Sequence, residues 1–197
     1  HPQAKTQPPA GDPQRPTAWV LGLRVTIDGV MFISLSLLIG LAAVNTGENL
    51  LYLIFSVMLA MLAISGFMAR NNLTRLSATR HYPLEFHANQ PQPGLIEIHN
   101  NKRLSHTYAL GVEDVAVGPK HYPSDRQHTV VLRSYAMLVK PRGCARGQVS
   151  INLPMRGLYE LRAVNLISLF PFGFFERVRQ DKVAGQLLVY PRLLPSR

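Results

Sequence analysis

Two long stretches with no polar face, followed by a series of short alternating runs, divide this chain into a front and a back. From Gly29 to Gly47, GVMFISLSLLIGLAAVNTG, nineteen residues carry no charge, and from Leu50 to Ala69, LLYLIFSVMLAMLAISGFMA, twenty more carry none. At about 1.5 Å of rise per residue each stretch is roughly 28 to 30 Å long as a helix, which matches the hydrocarbon thickness of a bilayer. Buried helices of a soluble bundle are also apolar, but they normally keep a polar stripe at a period of 3.6, and neither stretch has one. The link NTGEN reads as a turn between antiparallel helices, and the second span that follows at once argues against a cleaved signal peptide. The pattern therefore predicts a transmembrane hairpin over 24–70, with spans at 29–47 and 50–69. Ser36 with Gly40, and Ser56 with Ala60, place small residues four apart on each helix, a spacing that lets backbones approach. Neither span carries an Asp, Glu, Lys, Arg or His, so a proton or ion pathway through the hairpin is not expected.

From Tyr82 onward the texture changes. PLEFHA, GLIEIHN, HTYALGVEDVAV, HTVVLRSYAMLVK, GQVSINL, GLYELRAVNLIS and GQLLVYP alternate apolar with polar positions and are separated by Pro, Gly and Asn. Seven such runs with turn signals between them predict an antiparallel, immunoglobulin-like β-sandwich over 82–197. The expected fold class is thus a membrane-anchored α + β chain, a two-helix hairpin followed by a sandwich. Residues 71–81 set Leu73 and Leu76 against arginines and read as a basic juxtamembrane connector lying on the lipid surface. Residues 1–18 contain five prolines and almost no bulky apolar side chain, and disorder is expected there.

Charge adds an orientation. The formal net charge is +10, and from Arg70 onward 18 basic residues face 8 acidic ones. Beside a bilayer this surplus favours anionic headgroups and retention on the cytoplasmic side. Arg24 precedes the first span, Arg70, Arg75 and Arg80 follow the second, and the link carries only Glu48, so the positive-inside rule puts both termini in the cytoplasm. No helix-turn-helix, zinc finger or aromatic ribonucleoprotein motif accompanies the charge, which argues against nucleic acid.

Candidate chemistry is sparse. The seven histidines show no HxxxH pair, and Cys144 is the only thiol, so no zinc spacing is present. There is no phosphate-binding glycine loop, no dinucleotide fingerprint and no nucleophile elbow. The chain reads as non-enzymatic, without cofactor, metal or catalytic residues. An arginine beside Cys144 in PRGCARG could lower the thiol pKa, but a solvated hairpin turn accounts for the loop. The densest apolar feature is FPFGFFERV, residues 170–178. Pro171 and Gly173 make a turn there, and Phe170, Phe172, Phe174 and Phe175 with Arg177 and Arg179 are the interaction candidates. The aromatics are expected to close one end of the sandwich. A plug for a partner is the second reading, and a turn dipping into lipid the third.

RVTIDG, AAVNTGENLLYL, the SG near the end of the second span, RGLYEL, FPFGFFERV and LLVYPR, in that order, resemble the N-terminal half of the domain of unknown function 58 family of bacterial membrane proteins. Phe174 stands where that family usually has Leu. The resemblance runs from Arg24 to Arg192, and the von Willebrand factor A-like segment of the family, with its metal ligands, would lie beyond Arg197. It implies a multi-pass protein of the bacterial inner membrane, associated with MoxR-type AAA+ ATPases that act as chaperones in complex maturation. The expected role is a scaffold that presents a basic sandwich to a protein partner, with membrane lipid as the other contact and a homo-oligomer compatible with both. The alternative is an envelope protein whose periplasmic sandwich binds cell-wall or exported partners.

Overall fold

Thr26 ends an extended segment and starts the first helix: its side-chain oxygen accepts the Gly29 N–H at 3.1 Å. In the computed structural model, which describes residues 18–20, 23–83, 85–121 and 126–191, the apolar stretches are helices α1 (Ile27–Thr46) and α2 (Asn49–Asn72). Gly47 closes α1 in the left-handed conformation at φ 71°, its N–H bonded to the Ala43 carbonyl at 2.9 Å. The helices pack against each other, and the side chains they bury include Ser36, Gly40 and Ala43 of α1 and Met58, Ser65 and Ala69 of α2. Gly40 is the seat of the Phe55 ring, since a Cβ there would stand 2.8 Å from it. The small pair on α1 is therefore at the contact. The pair proposed for α2 is not, because Ser56 and Ala60 face outward.

Each of the seven alternating runs contains a strand: β4 (Phe86–His87), β5 (Gln92–Asn100), β6 (Thr107–His121), β7 (Arg126–Val139), β8 (Cys144–Ile151), β9 (Gly157–Ser168) and β11 (Gly185–Tyr190). Four more strands lie where none was expected: β1 (Ala18–Val20), β2 (Leu23–Val25), β3 (Leu76–His81) and β10 (Phe175–Asp181). Long β9 organises the larger sheet. It pairs with β6, and through it β7, on one edge, and with β10 and β11 on the other. Beyond β10 the sheet continues into β2 and β1, and beyond β11 into β4, the last by a parallel pairing that departs from the expected antiparallel pattern. The second sheet is β3–β5–β8. Between them lies a core that includes Ile96, Ile98, Leu110, Val112, Leu132, Ile151, Tyr159 and Leu166.

Two boundaries change. The connector expected on the lipid surface at 71–81 is largely strand β3, with Leu73 and Leu76 buried in the sandwich core. Residues 24 and 25, expected inside the hairpin unit, belong with Leu23 to the larger sheet as β2, Leu23 and Val25 being buried. The disorder expected for 1–18 falls, Ala18 apart, outside the described residues.

Arg80 is not a membrane-flanking residue. It lies in β3 with its guanidinium turned inward, and its Nε and Nη2 donate to Asp114 of β6 at 2.6 and 2.8 Å. The Tyr82 hydroxyl donates to the same carboxylate at 2.7 Å, and the Val183 carbonyl accepts from Arg80 Nη1. Burial, and then the Asp114 charge, push the Tyr82 phenol far above its ordinary range.

Candidate functional site

The helices meet the sandwich at one end, and the residues singled out in FPFGFFERV are at that meeting. The turn, with a cis Phe170–Pro171 bond and Gly173 at φ 76°, folds over the start of α1. Thr26 donates its backbone N–H to the Phe174 carbonyl at 3.1 Å and its hydroxyl to the Gly173 carbonyl at 2.6 Å. The Phe174 ring stacks on Phe32 of α1 with centroids 4.4 Å apart, and Phe172 leans on Phe174 at 5.6 Å. Phe170 stacks on Tyr108 at 4.8 Å, while Phe175, first residue of β10, lies beside Gly66 of α2. Only Phe172 of the four is exposed. The cluster is therefore neither a closed corner of the sandwich nor a free plug, but the packing layer between sandwich and helices. Gly29 is required by it, because a Cβ there would fall 2.2 Å from the Phe174 carbonyl oxygen.

Arg177 and Arg179 face neither solvent nor headgroups alone. The last carbonyls of a helix have no partner within it and carry the negative end of its dipole. Here Arg177 donates to the Arg70 carbonyl of α2, and Arg179 donates just past the helix, to the carbonyl of the C-cap Leu73 at 2.8 Å and to that of Leu76 in β3 at 2.7 Å. The Lys102 ammonium completes the set, 3.2 Å from the Asn71 carbonyl and 2.9 Å from that of Asn72. Burial pulls the Lys102 pKa below its usual value. The Asn72 amide holds the strands, donating to the Tyr108 carbonyl at 2.7 Å and the Ser168 hydroxyl at 2.6 Å and accepting from the Tyr108 N–H at 3.0 Å. Thr26, Asn72 and Lys102 were missed in the sequence. Only Thr26, a Thr just ahead of an apolar helix, gave a signal there.

Of the proposed flanking residues, Arg70 and Arg75 are exposed at this junction, whereas Arg24 lies in β2 opposite Glu176. Elsewhere, the outer face of the smaller sheet gathers side chains around Glu97: His81 Nε2 at 3.3 Å, Arg146 Nε at 3.5 Å and His99 Nε2 at 4.0 Å. Cys144 also bonds to Glu97, which raises its thiol pKa, opposite in sign to the activation by arginine considered above. Among the described residues no group of three acidic, His or Cys side chains is placed to hold a metal ion.

No family model matches the chain, and no curated protein does. Among solved structures it is similar to the CARDB domain of the PF1109 protein from Pyrococcus furiosus, crystallised with two metal ions. That likeness has 10% identity over 60% of this chain and 94% of the other, at a TM-score of 0.36. The PapD-like domain 7 of human CEP192 is similar at 10% identity over 60% and 89%, with a TM-score of 0.36. A superoxide reductase from Ignicoccus hospitalis is similar at 14% identity over 61% and 86%, with a TM-score of 0.31. Likenesses this distant carry no functional argument.

Proposed function

We propose that this chain is a non-catalytic membrane scaffold of the domain of unknown function 58 type, in which a lipid-embedded hairpin presents the basic sandwich to a MoxR-type AAA+ ATPase on the cytoplasmic face of the bacterial inner membrane. The observation that carries the anchoring is the exposure of the helices. Only 22% of the most apolar window of α1 and 11% of that of α2 is buried, and Leu37, Leu38, Leu41, Val44, Leu53 and Phe67 point outward. A helix in the core of a soluble protein hides such side chains, and lipid is the solvent that accepts them here. The flanking arginines support the cytoplasmic orientation, and the ordered motifs support the partner.

Cys144 is exposed and is the chain's only thiol, so it reports the side on which the sandwich stands. Labelling of intact cells with a membrane-impermeant maleimide should leave it unmodified until the membrane is opened. Labelling without permeabilisation would place the sandwich in the periplasm and favour an envelope-binding role. Co-expression with the ATPase should give a complex that survives purification in mild detergent, and its absence under nucleotide-bound and nucleotide-free conditions would remove the proposed partner.

A further inference from the structure

We infer that the helix-side end of the sandwich is itself a lipid-docking surface, selective for anionic headgroups. The inference rests on the reading of α1 and α2 as membrane spans. Four connections meet at this end: 73–75, 101–106, 140–143 and 169–174. The first three are tied together by the Asn101 N–H on the Arg75 carbonyl at 2.9 Å, the Arg142 N–H on that of Lys102 at 3.1 Å and the Asn100 N–H on that of Gly143 at 2.9 Å. These connections contain no Asp or Glu. Arg75, Arg103, Lys140 and Arg142 are exposed in them, as is Arg70 at the end of α2, and the acids that flank them are Asp28 in the first turn of α1, buried Glu176 in β10 and Glu97, which is bonded to Cys144.

The apolar residues here are also outward. Leu104, in 101–106, is 91% exposed, Met137 near the end of β7 is 84% exposed, and Leu169 and Phe172 of 169–174 are exposed as well. Tyr135 stands opposite Gly111 across β7 and β6, and a cavity of about 70 Å³ opens there between Tyr135, Ile167 and Leu169. Leucine and basic residues alternating on loop tips are the composition of a membrane interface, where the chain end is apolar and its rim is cationic.

Depth follows from the chain path. The apolar run of α2 ends at Ala69, and the headgroup layer beyond the hydrocarbon is roughly 5 to 8 Å thick on each side. The Lys102 ammonium touches the Asn71 carbonyl at 3.2 Å, and Leu104, two residues farther on, lies within about 7 Å of Lys102 along the chain. The loop that carries Leu104 is thus held, through Lys102, at the end of α2 that emerges into the headgroup layer of a bilayer the hairpin spans. Each basic side chain near an anionic surface changes the docked-to-free ratio by about five-fold.

The test uses the full chain with Cys144→Ser, in nanodiscs of phosphatidylcholine alone or mixed with phosphatidylglycerol. An environment-sensitive fluorophore is placed in turn at L104C, at L41C on the outward face of α1 and at N152C at the opposite end of the sandwich, with spin-labelled lipid as quencher. Quenching at 104 that strengthens with phosphatidylglycerol, together with none at 152, is the expected result. Arg103→Gln with Arg142→Gln, which removes two positive charges, should then lower the docked-to-free ratio by about 25-fold. Quenching at 41 but not at 104 would overturn the docking surface and leave the spans standing. Equal quenching at 104 in both lipids would overturn its anionic selectivity. No quenching at 41 would overturn the spans, and the inference with them.

Discussion

Arg80→Met should be among the most damaging single substitutions in the sandwich. Its guanidinium side chain is 7% exposed, its partner Asp114 is fully buried, and the two are joined by a two-pronged contact at 2.6 and 2.8 Å. Removing the arginine leaves the carboxylate in the core with only the Tyr82 hydroxyl. Breaking a buried pair from one side costs about 3 to 5 kcal/mol, because the remaining charge has neither water nor a counter-ion. For a unit of this size each kcal/mol lowers the melting temperature by about 4 °C, so a fall of about 12 to 20 °C is expected. Arg80→Lys keeps the charge but loses the fork, and should fall between the two. Arg80→Met with Asp114→Leu removes both charges and should cost less than either single change, leaving mainly the unpaired Tyr82 hydroxyl at about 1 to 3 kcal/mol. The assay is calorimetric unfolding in detergent micelles, with near-ultraviolet circular dichroism following the sandwich. A loss below about 1 kcal/mol for Arg80→Met is what an exposed pair would give. It would refute the buried placement and return Arg80 to the membrane surface.

Gly29→Ala should loosen the junction by about 1 to 3 kcal/mol, since the new methyl meets the Phe174 carbonyl oxygen at 2.2 Å, and hydrogen exchange at the amides of 173–175 should accelerate. Tyr82 gives an alkaline signature: with its folded pKa above the ordinary 10.0, its contribution is complete below pH 10 and declines as pH rises beyond it. Tyr82→Phe should flatten the fall of melting temperature above pH 10, and an unchanged slope would rule out the buried phenol. Glu97→Gln should speed alkylation of Cys144 at neutral pH, because the bond to Glu97 is the largest cause of its raised pKa, and the rate-against-pH profile should move to lower pH.

Periodicity exposed those elements whose two faces meet different surroundings. β5 alternates Ile96 and Ile98 inward with Glu97 and His99 outward, and α1 and α2 stood out as long apolar runs with no polar stripe. β3 was obscured because its inward side includes Arg80, a charge that pattern reading assigns to the surface and that only a distant Asp114 explains. β2 is three residues long, too short to show a period, and its partner Phe175 lies far along the chain. The phenylalanine turn was legible as a turn. Its neighbours were not, because Phe32, Gly29 and Thr26 reach it by closure of the whole chain, and the capping of α2 by Lys102, Arg177 and Arg179 has no local signature.

The pairing of β2 with β10 has a topological consequence. A strand ahead of the hairpin and a strand more than a hundred residues behind it belong to one hydrogen-bonded sheet, Val25 standing opposite Phe175. A chain threaded through a bilayer once, or three times, would leave those partners in different compartments. The pairing thus admits only an even number of crossings between β2 and β10, and if the proposed hairpin inserted only one of its helices the sandwich would forfeit this edge.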